Sequence, residues 1–160
     1  IYKDDKTVWH VHGVGIGGLR EPEISLNMGN SGTGVRLLMG LVATHPIEVT
    51  FTGDSSLSSR PMKRITNPLE IFGAKFSGNC EGTLPIKFIG AKSPVPILYE
   101  MPMASAQVKS AIMLAGLNTP GRTTVIDTSA TRDPSQPIFK YFGLPIVIDQ
   151  EYIPVSGPAD

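Results

Sequence analysis

The sequence predicts an α+β fold of tandem βαβαββ units, with parallel helices packed on short mixed four-stranded sheets, and incomplete as a whole. Three observations predict it. Segments with strand and helix periodicity follow one order over residues 23–91 and the same order again over 95–157. Landmarks recur with that order: Ile71-Phe72-Gly73 and Tyr141-Phe142-Gly143 lie seventy positions apart, and Arg60 and Arg132 lie seventy-two apart, each entering its unit's second helix. The 17 glycines and 14 prolines are dispersed, as in many short elements joined by turns. Helices that recur on one side of short sheets bury their apolar stripes against each other, so helix starts from both units converge at one end.

The chain opens without an initiating Met, and IYKDDKTVWHVHGVG runs directly into a strand-like alternation. Val8, His10 and His12 share one face, and Trp9, Val11 and Gly13 the other. Residues 1–22 read as the end strand of a truncated preceding unit, and both ends are expected to be cut from a longer chain. His10 and His12 have no third ligand in view and read as a surface pair. Gly13 to Gly18 match the GxGxxG spacing, but Pro22 opposes the helix that a dinucleotide site needs, so a glycine-rich turn is expected.

The first full unit begins with EISLNM (23–28) as a strand. Gly29-Asn30-Ser31-Gly32-Thr33-Gly34 then feeds a helix through Thr44, with Arg36 one turn in. The glycines let backbone N–H groups approach a ligand, and no Walker A spacing is present. His45-Pro46 ends the helix, and IEVTFTGD (47–54) alternates as a strand. Gly53-Asp54-Ser55-Ser56-Leu57 has a superficial likeness to a serine-hydrolase block, discounted because no Ser–His–Asp set surrounds it. The second helix is expected to begin at Ser59-Arg60-Pro61-Met62, with Pro61 at the first helical position. Met62, Ile65, Leu69 and Phe72 form its buried stripe, Pro68 predicts a break or kink near Asn67, and Gly73 ends it. AKFSGNC and LPIKFIGA are two strands around Glu81-Gly82.

The second unit repeats this order. ILYEMP is a strand. Ser105 is placed as the N-cap of a helix to about Leu117, whose Val108, Ala111, Ile112 and Ala115 fall at i, i+3, i+4 and i+7. Its first turn offers unpaired N–H groups and the positive dipole end, beside the donors of Ser105 and Gln107. That combination suits a phosphate or carboxylate, although a plain capped core helix has the same pattern. Pro120-Gly121 is a turn and RTTVIDTS a strand. Arg132-Asp133-Pro134 starts a helix ended by Gly143, and PIVIDQ and YIPVSG are two further strands. Guanidinium groups at helix starts oppose the dipole locally, a misfit that a bound anion resolves. Asn30–Gly34, Arg60, Ser105–Gln107 and Arg132 are therefore expected to share an anionic ligand.

Composition bounds the rest. With 14 basic and 14 acidic residues the formal charge is zero, which implies no broad attraction to nucleic acid or anionic membrane, so anion binding must be local. No apolar run reaches membrane-spanning length. The single Cys80 excludes an internal disulfide framework and a zinc cluster, and fits a reducing, cytoplasmic compartment.

Four ordered blocks, GNSGTGVRLLMGLV, GDSSLSSRPMKRITNPL, MPMASAQVKSAIMLAGLNTPG and TTVIDTSATRD, resemble the 5-enolpyruvylshikimate-3-phosphate synthase family over nearly the whole chain. MASAQVKSA and the TRD block resemble the subgroup that includes glyphosate-tolerant bacterial enzymes. The resemblance implies an enolpyruvyl transferase-like fold: two domains, each of three βαβαββ units around parallel helices. This chain would hold two units of one domain and the last strand of the third. It implies transfer of the enolpyruvyl group of phosphoenolpyruvate to the 5-hydroxyl of shikimate 3-phosphate, releasing phosphate, without metal or organic cofactor.

By motif, Ser105, Ala106, Gln107 and Arg132 would hold shikimate 3-phosphate, and Asn30, Gly32, Arg60 and Gln107 would bind phosphoenolpyruvate. The family's N-terminal Lys-Ser block and the acidic, lysine and arginine residues of its second domain are absent from the 160 residues. The proton-transfer groups are thus expected in the missing domain, and the isolated chain is expected not to turn over. Gly32 stands where tolerant members carry Ala, which implies a glyphosate-sensitive parent enzyme. The sister enolpyruvyl transferase acting on UDP-N-acetylglucosamine is the nearest alternative. It uses a loop cysteine, and Cys80 has no basic loop around it. A non-catalytic anion-binding domain is the alternative of another class.

Overall fold

Each full unit begins with a strand, turns into a helix and returns to a strand parallel to the first, and this crossover sets the architecture. The computed structural model describes residues 1–5, 7–129, 131, 135–147 and 151–158. In chain order the elements are β1 (Tyr2–Lys3), β2 (Trp9–His10), β3 (Leu26–Asn27), α1 (Gly32–Val42), β4 (Glu48–Thr52), α2 (Ser55–Ser58), α3 (Lys63–Ile71), β5 (Lys75–Ser77) and β6 (Ile86–Ile89). They continue with β7 (Leu98–Glu100), α4 (Ala106–Leu117), β8 (Arg122–Ile126), α5 (Ser135–Tyr141) and β9 (Tyr152–Ser156). The fold is α+β with mixed sheets, as the sequence predicts.

The first large sheet has the order β3-β4-β6-β5. β3 runs parallel to β4, with Leu26 opposite Phe51, whereas β6 is antiparallel to both β4 and β5. Phe51, Phe76 and Phe88 meet edge to face on its inner side. The second sheet has the order β7-β8-β9, with β7 parallel to β8 and β9 antiparallel to it. A fourth strand was expected from PIVIDQ. Among the described residues it contributes one isolated bridge, Ile146 to Val155, with Val147 N–H donating to Pro154 O and Ser156 N–H to Pro145 O. Pro145 has no N–H to extend that ladder. The expected strand at the chain start shrinks to a two-residue hairpin, Tyr2 opposite His10, with Trp9 and Val11 exposed. Tyr2 stacks on His10 and His12, and among the described residues no group of three His, Cys, Asp or Glu side chains assembles. The glycine-rich stretch after it is a turn, not the start of a helix.

Helix α4 is the centre of the molecule. Its stripe residues Val108, Ala111, Ile112 and Ala115 are buried, and so are Lys109, Ser110, Met113 and Gly116 on other faces. A helix covered all round lies inside its fold. It packs along α1 with both starts at one end. Gln107 meets Thr33 and Arg36 near the two N-termini, and Asn118 Nδ2 donates to Thr44 O (2.8 Å) near the two C-termini. The helices are therefore parallel. Midway, Gly40 lies so close to Ala111 that an added Cβ would sit 2.3 Å from its carbonyl oxygen.

Two expectations about the second helix are corrected. It does not begin at Ser59–Met62. A separate short helix, α2, forms first, because Asp54 Oδ1 accepts the Leu57 N–H (2.7 Å) and Leu57 drops into the core. Arg60 and Pro61 belong to the link, Met62 occupies the N-cap of α3, and Pro61 is not its first residue. Nor does Pro68 break α3, which runs through it to Ile71. Burial of Ile65, Leu69 and Phe72 outweighs the one lost backbone bond. Gly73 and Gly143, with φ of +103° and +68°, turn the chain after α3 and α5 as the sequence suggests.

Candidate functional site

The turn 28–31 leaves β3 and enters α1. Ser31 Oγ accepts the Gly34 N–H (3.1 Å), which caps the helix and leaves Gly32 and Thr33 at its open start. The neighbouring turn 53–54 is tied to it by Asp54 N–H to Gly29 O (2.9 Å) and by Asn30 Nδ2 to Asp54 Oδ2 (2.8 Å). Hydrogen bonds from the Leu57 N–H and from Asn30 hold the Asp54 carboxyl below its ordinary pKa.

Arg60 leaves the link after α2 and reaches back over this pair of turns. Its Nη2 donates to Asn30 Oδ1 (2.8 Å) and Ser56 Oγ (3.2 Å). A Cβ at Gly32 would lie 2.8 Å from Arg60 Nη1 and 3.1 Å from Arg36 Nη1, so two guanidinium groups flank one backbone position. From the other unit, Ser105 caps α4 by accepting the Val108 N–H (3.4 Å), Ala106 is its first helical residue, and Gln107 projects toward α1. Gln107 Oε1 accepts from Arg36 Nη1 (3.0 Å), and Gln107 Nε2 donates to Thr33 Oγ1 (2.9 Å).

Beside them lies one cavity of about 290 Å³, lined by Arg36, Arg60, Pro61, Arg64, Ile65, Ser105, Gln107 and Val108. Arg36 is partly buried. Burial first, and then the Arg60 and Arg64 guanidinium groups, lower its pKa from the ordinary arginine value. The Arg36, Arg60 and Arg64 guanidinium groups, gathered at the starts of α1 and α3, make an electropositive basin, although the chain is neutral overall. A second hollow of about 280 Å³ adjoins it through Arg64 and Val108 and is lined also by Lys63, Asn67, Tyr99, Pro102 and Met103. A larger hollow of about 450 Å³ lies elsewhere, among Leu41, Leu114, Leu117, Leu144 and Pro145, and has almost nothing to replace an anion's water.

Asn30, Gly32, Arg60, Ser105, Ala106 and Gln107 thus gather at one end of the helices. Arg132 lies outside the described residues. Sequence reasoning did not assign Arg36 or Arg64 to the site, and it included Thr33 only as part of the stretch 30–34. Arg36 and Arg64 carried a signal, since each follows a predicted helix start by about one turn. Cys80 lies between β5 and β6, where its carbonyl accepts from Lys63 Nζ (2.9 Å), and it does not line the cavity.

The family model of EPSP synthase (3-phosphoshikimate 1-carboxyvinyltransferase) matches residues 1–160. The chain belongs to the EPSP synthase family. It is 56% identical over 149 residues to the 3-phosphoshikimate 1-carboxyvinyltransferase of Novosphingobium aromaticivorans, covering 93% of this chain and 34% of that protein. To the protein of the same name from Zymomonas mobilis it is 54% identical over 164 residues, with 100% and 36% coverage. The solved structure of an EPSP synthase from Acinetobacter baumannii superposes with a TM-score of 0.87 at 42% identity, over 93% of this chain and 34% of that one. The chain spans about a third of the length of the curated relatives it matches. Within the EPSP synthase frame, the arginine-lined cavity is built from α1, α3 and α4 and the link before α3.

Proposed function

We propose that this chain carries a substrate-binding half-site of an enzyme that transfers the enolpyruvyl group of phosphoenolpyruvate to the 5-hydroxyl of shikimate 3-phosphate, releasing phosphate. Family membership supplies the reaction. The convergence of Arg36, Arg60 and Arg64 with Ser105 and Gln107 on one cavity is the observation that carries the assignment to these residues.

Each group has a part. Arg60 meets a carboxylate or phosphate with a planar pair of donors, geometry that Lys does not reproduce. Asn30 holds Arg60 from behind (2.8 Å), and Gly32 keeps its face open. Ser105, Ala106 and Gln107 present hydroxyl, backbone and carboxamide donors to the 3-phosphate, and Arg132 is assigned to the same substrate from its motif. Donors fixed before the substrate arrives stabilise charge that develops on the phosphate and carboxylate as the C–O bond breaks. The proton donor to the methylene carbon and the base for the 5-hydroxyl belong, in this reading, to a second domain closing over the cavity. The units 23–91 and 95–157 would be two of the three around that domain's helices, with 1–22 contributing the end of another. The lone, exposed Cys80 thiol supports a reducing, cytoplasmic setting. With Gly32 in place the parent enzyme is expected to be inhibited by glyphosate, which inhibition kinetics on it would check.

The test is calorimetric titration of shikimate 3-phosphate, and then phosphoenolpyruvate, into the chain. Saturable binding of shikimate 3-phosphate is expected. Arg60→Gln is expected to weaken phosphoenolpyruvate at least tenfold more than shikimate 3-phosphate. Failure to bind either substrate, or equal losses for both, would overturn the assignment.

A further inference from the structure

The Gln107 carboxamide is gripped at both ends by residues of α1. Thr33 and Arg36, three positions apart on one helix face, take its Nε2 and its Oε1 at 2.9 and 3.0 Å. The two grips differ in kind. A threonine hydroxyl both donates and accepts, so Thr33 tolerates either end of the carboxamide. A guanidinium only donates, so Arg36 accepts only the oxygen end.

We propose that Arg36 is a positioning residue for Gln107, fixing which way its carboxamide faces; the proposal rests on the half-site reading above. With Oε1 held, Nε2 keeps one N–H beyond the bond to Thr33, and the carboxamide meets the cavity as a donor. Turned over, it would show the anion a carbonyl oxygen. Arg36 Nη1 also donates to Gly32 O (3.2 Å), which braces the guanidinium against the start of its own helix. Among the described residues no carboxylate lies within ion-pair distance of Arg36. Its acceptors are neutral oxygens, so its charge stays available to the cavity while its N–H orients the neighbour. The contact also joins the two units, because Arg36 and Gln107 are 71 positions apart.

The test is a double-mutant cycle with shikimate 3-phosphate as the probe. Arg36→Met is expected to weaken binding by about tenfold more in the Gln107 background than in the Gln107→Met background. Arg36→Lys, which keeps the charge and donates only, is expected to restore part of the loss. In the unliganded chain, the Gln107 side-chain amide protons are expected to exchange slowly with solvent, and to exchange faster in Arg36→Met. Equal losses in both backgrounds, with unchanged amide signals, would leave only a charge contribution and overturn the positioning role. Where Arg36→Met fails to fold, Arg36→Lys decides: binding that tracks the protection of the Gln107 amide, both kept or both lost, supports the role, and wholly lost binding with the amide still protected overturns it. If the unsubstituted chain does not bind, the half-site reading falls and the positioning role falls with it.

Discussion

A methyl group at position 32 would press on two charged groups at once, at 2.8 Å from Arg60 Nη1 and 3.1 Å from Arg36 Nη1. Both are ends of long side chains, so the fold absorbs the change and the cavity does not. Gly32→Ala is expected to leave the melting temperature within about 2 °C while weakening phosphoenolpyruvate several-fold, as read by calorimetry and thermal unfolding. Lys109 and Asp127 form a pair of another kind. They are each about 2% exposed and bonded at 2.9 Å, with the Thr131 N–H and hydroxyl also on Asp127. Lys109→Met strands a buried carboxylate and is expected to cost about 3–5 kcal/mol in chemical denaturation. Burial pushes the Asp127 carboxyl up, but the Lys109 ammonium and the Thr131 bonds outweigh it and leave its pKa below the ordinary value. A group so lowered stabilises the fold above its unfolded pKa, about 3.9, and loses that contribution as pH falls through the folded value. Thermal stability is therefore expected to drop steeply below about pH 4, and Asp127→Asn is expected to be less stable at neutral pH and flatter in acid. Sequence showed Ser105, Gln107 and Arg60 because each sits in a motif beside a helix start. It did not show the Lys109–Asp127 pair, because a lysine on a helix reads as a solvated face until the far strand is placed.

Among the elements, α1 and α4 show why local pattern was sufficient in one place and misleading in another. Both helices carried a cap, an apolar stripe and a glycine-rich or polar lead; α4 appears within one residue of expectation, whereas α1 starts three residues early, at Gly32, and ends two early, at Val42. The amphipathic stripe read for α4 understated it, since packing against α1, α3 and the second sheet buries other faces as well. α2 was missed because four residues carry no periodicity, and only the reach of Asp54 back to Leu57 reveals the turn. At Gly40 the two long helices meet backbone to backbone, with an added Cβ 2.3 Å from Ala111 O and 2.6 Å from its Cα. Backbone on both sides leaves no side chain to yield. Gly40→Ala is expected to destabilise by about 1–3 kcal/mol and to weaken shikimate 3-phosphate with it, because separating the helices separates Arg36 from Gln107. Denaturant titration and calorimetry on one variant check both parts. Thr123 offers the opposite sign. Its hydroxyl is buried without a partner among the described residues, so Thr123→Val is expected to raise the melting temperature slightly.

For the molecule as a whole, a neutral formal charge concealed a strongly positive cavity, and the sum over the chain said nothing about where the arginines would meet. Reading the chain as two tandem units made the convergence legible, since helices that pack in parallel bring their starts to one end. What that reading left out was the bonding of Gln107 to Thr33 and Arg36, which ties the start of α4 to the start of α1. The chain alone is expected to bind shikimate 3-phosphate yet show under about 1% of the turnover of a full-length family member, in a phosphate-release assay. Turnover near the full-length rate would place the proton-transfer groups within these residues. The seam between α1 and α4 also bears on how the protein is made. Its bonds join residues 71 to 74 positions apart, so the apolar flank of α1 has no cover until α4 has been translated. At elongation speeds of about 5–20 residues per second, that leaves this flank of α1 waiting on the ribosome for roughly 4–15 s, an interval in which a nascent-chain chaperone would find it.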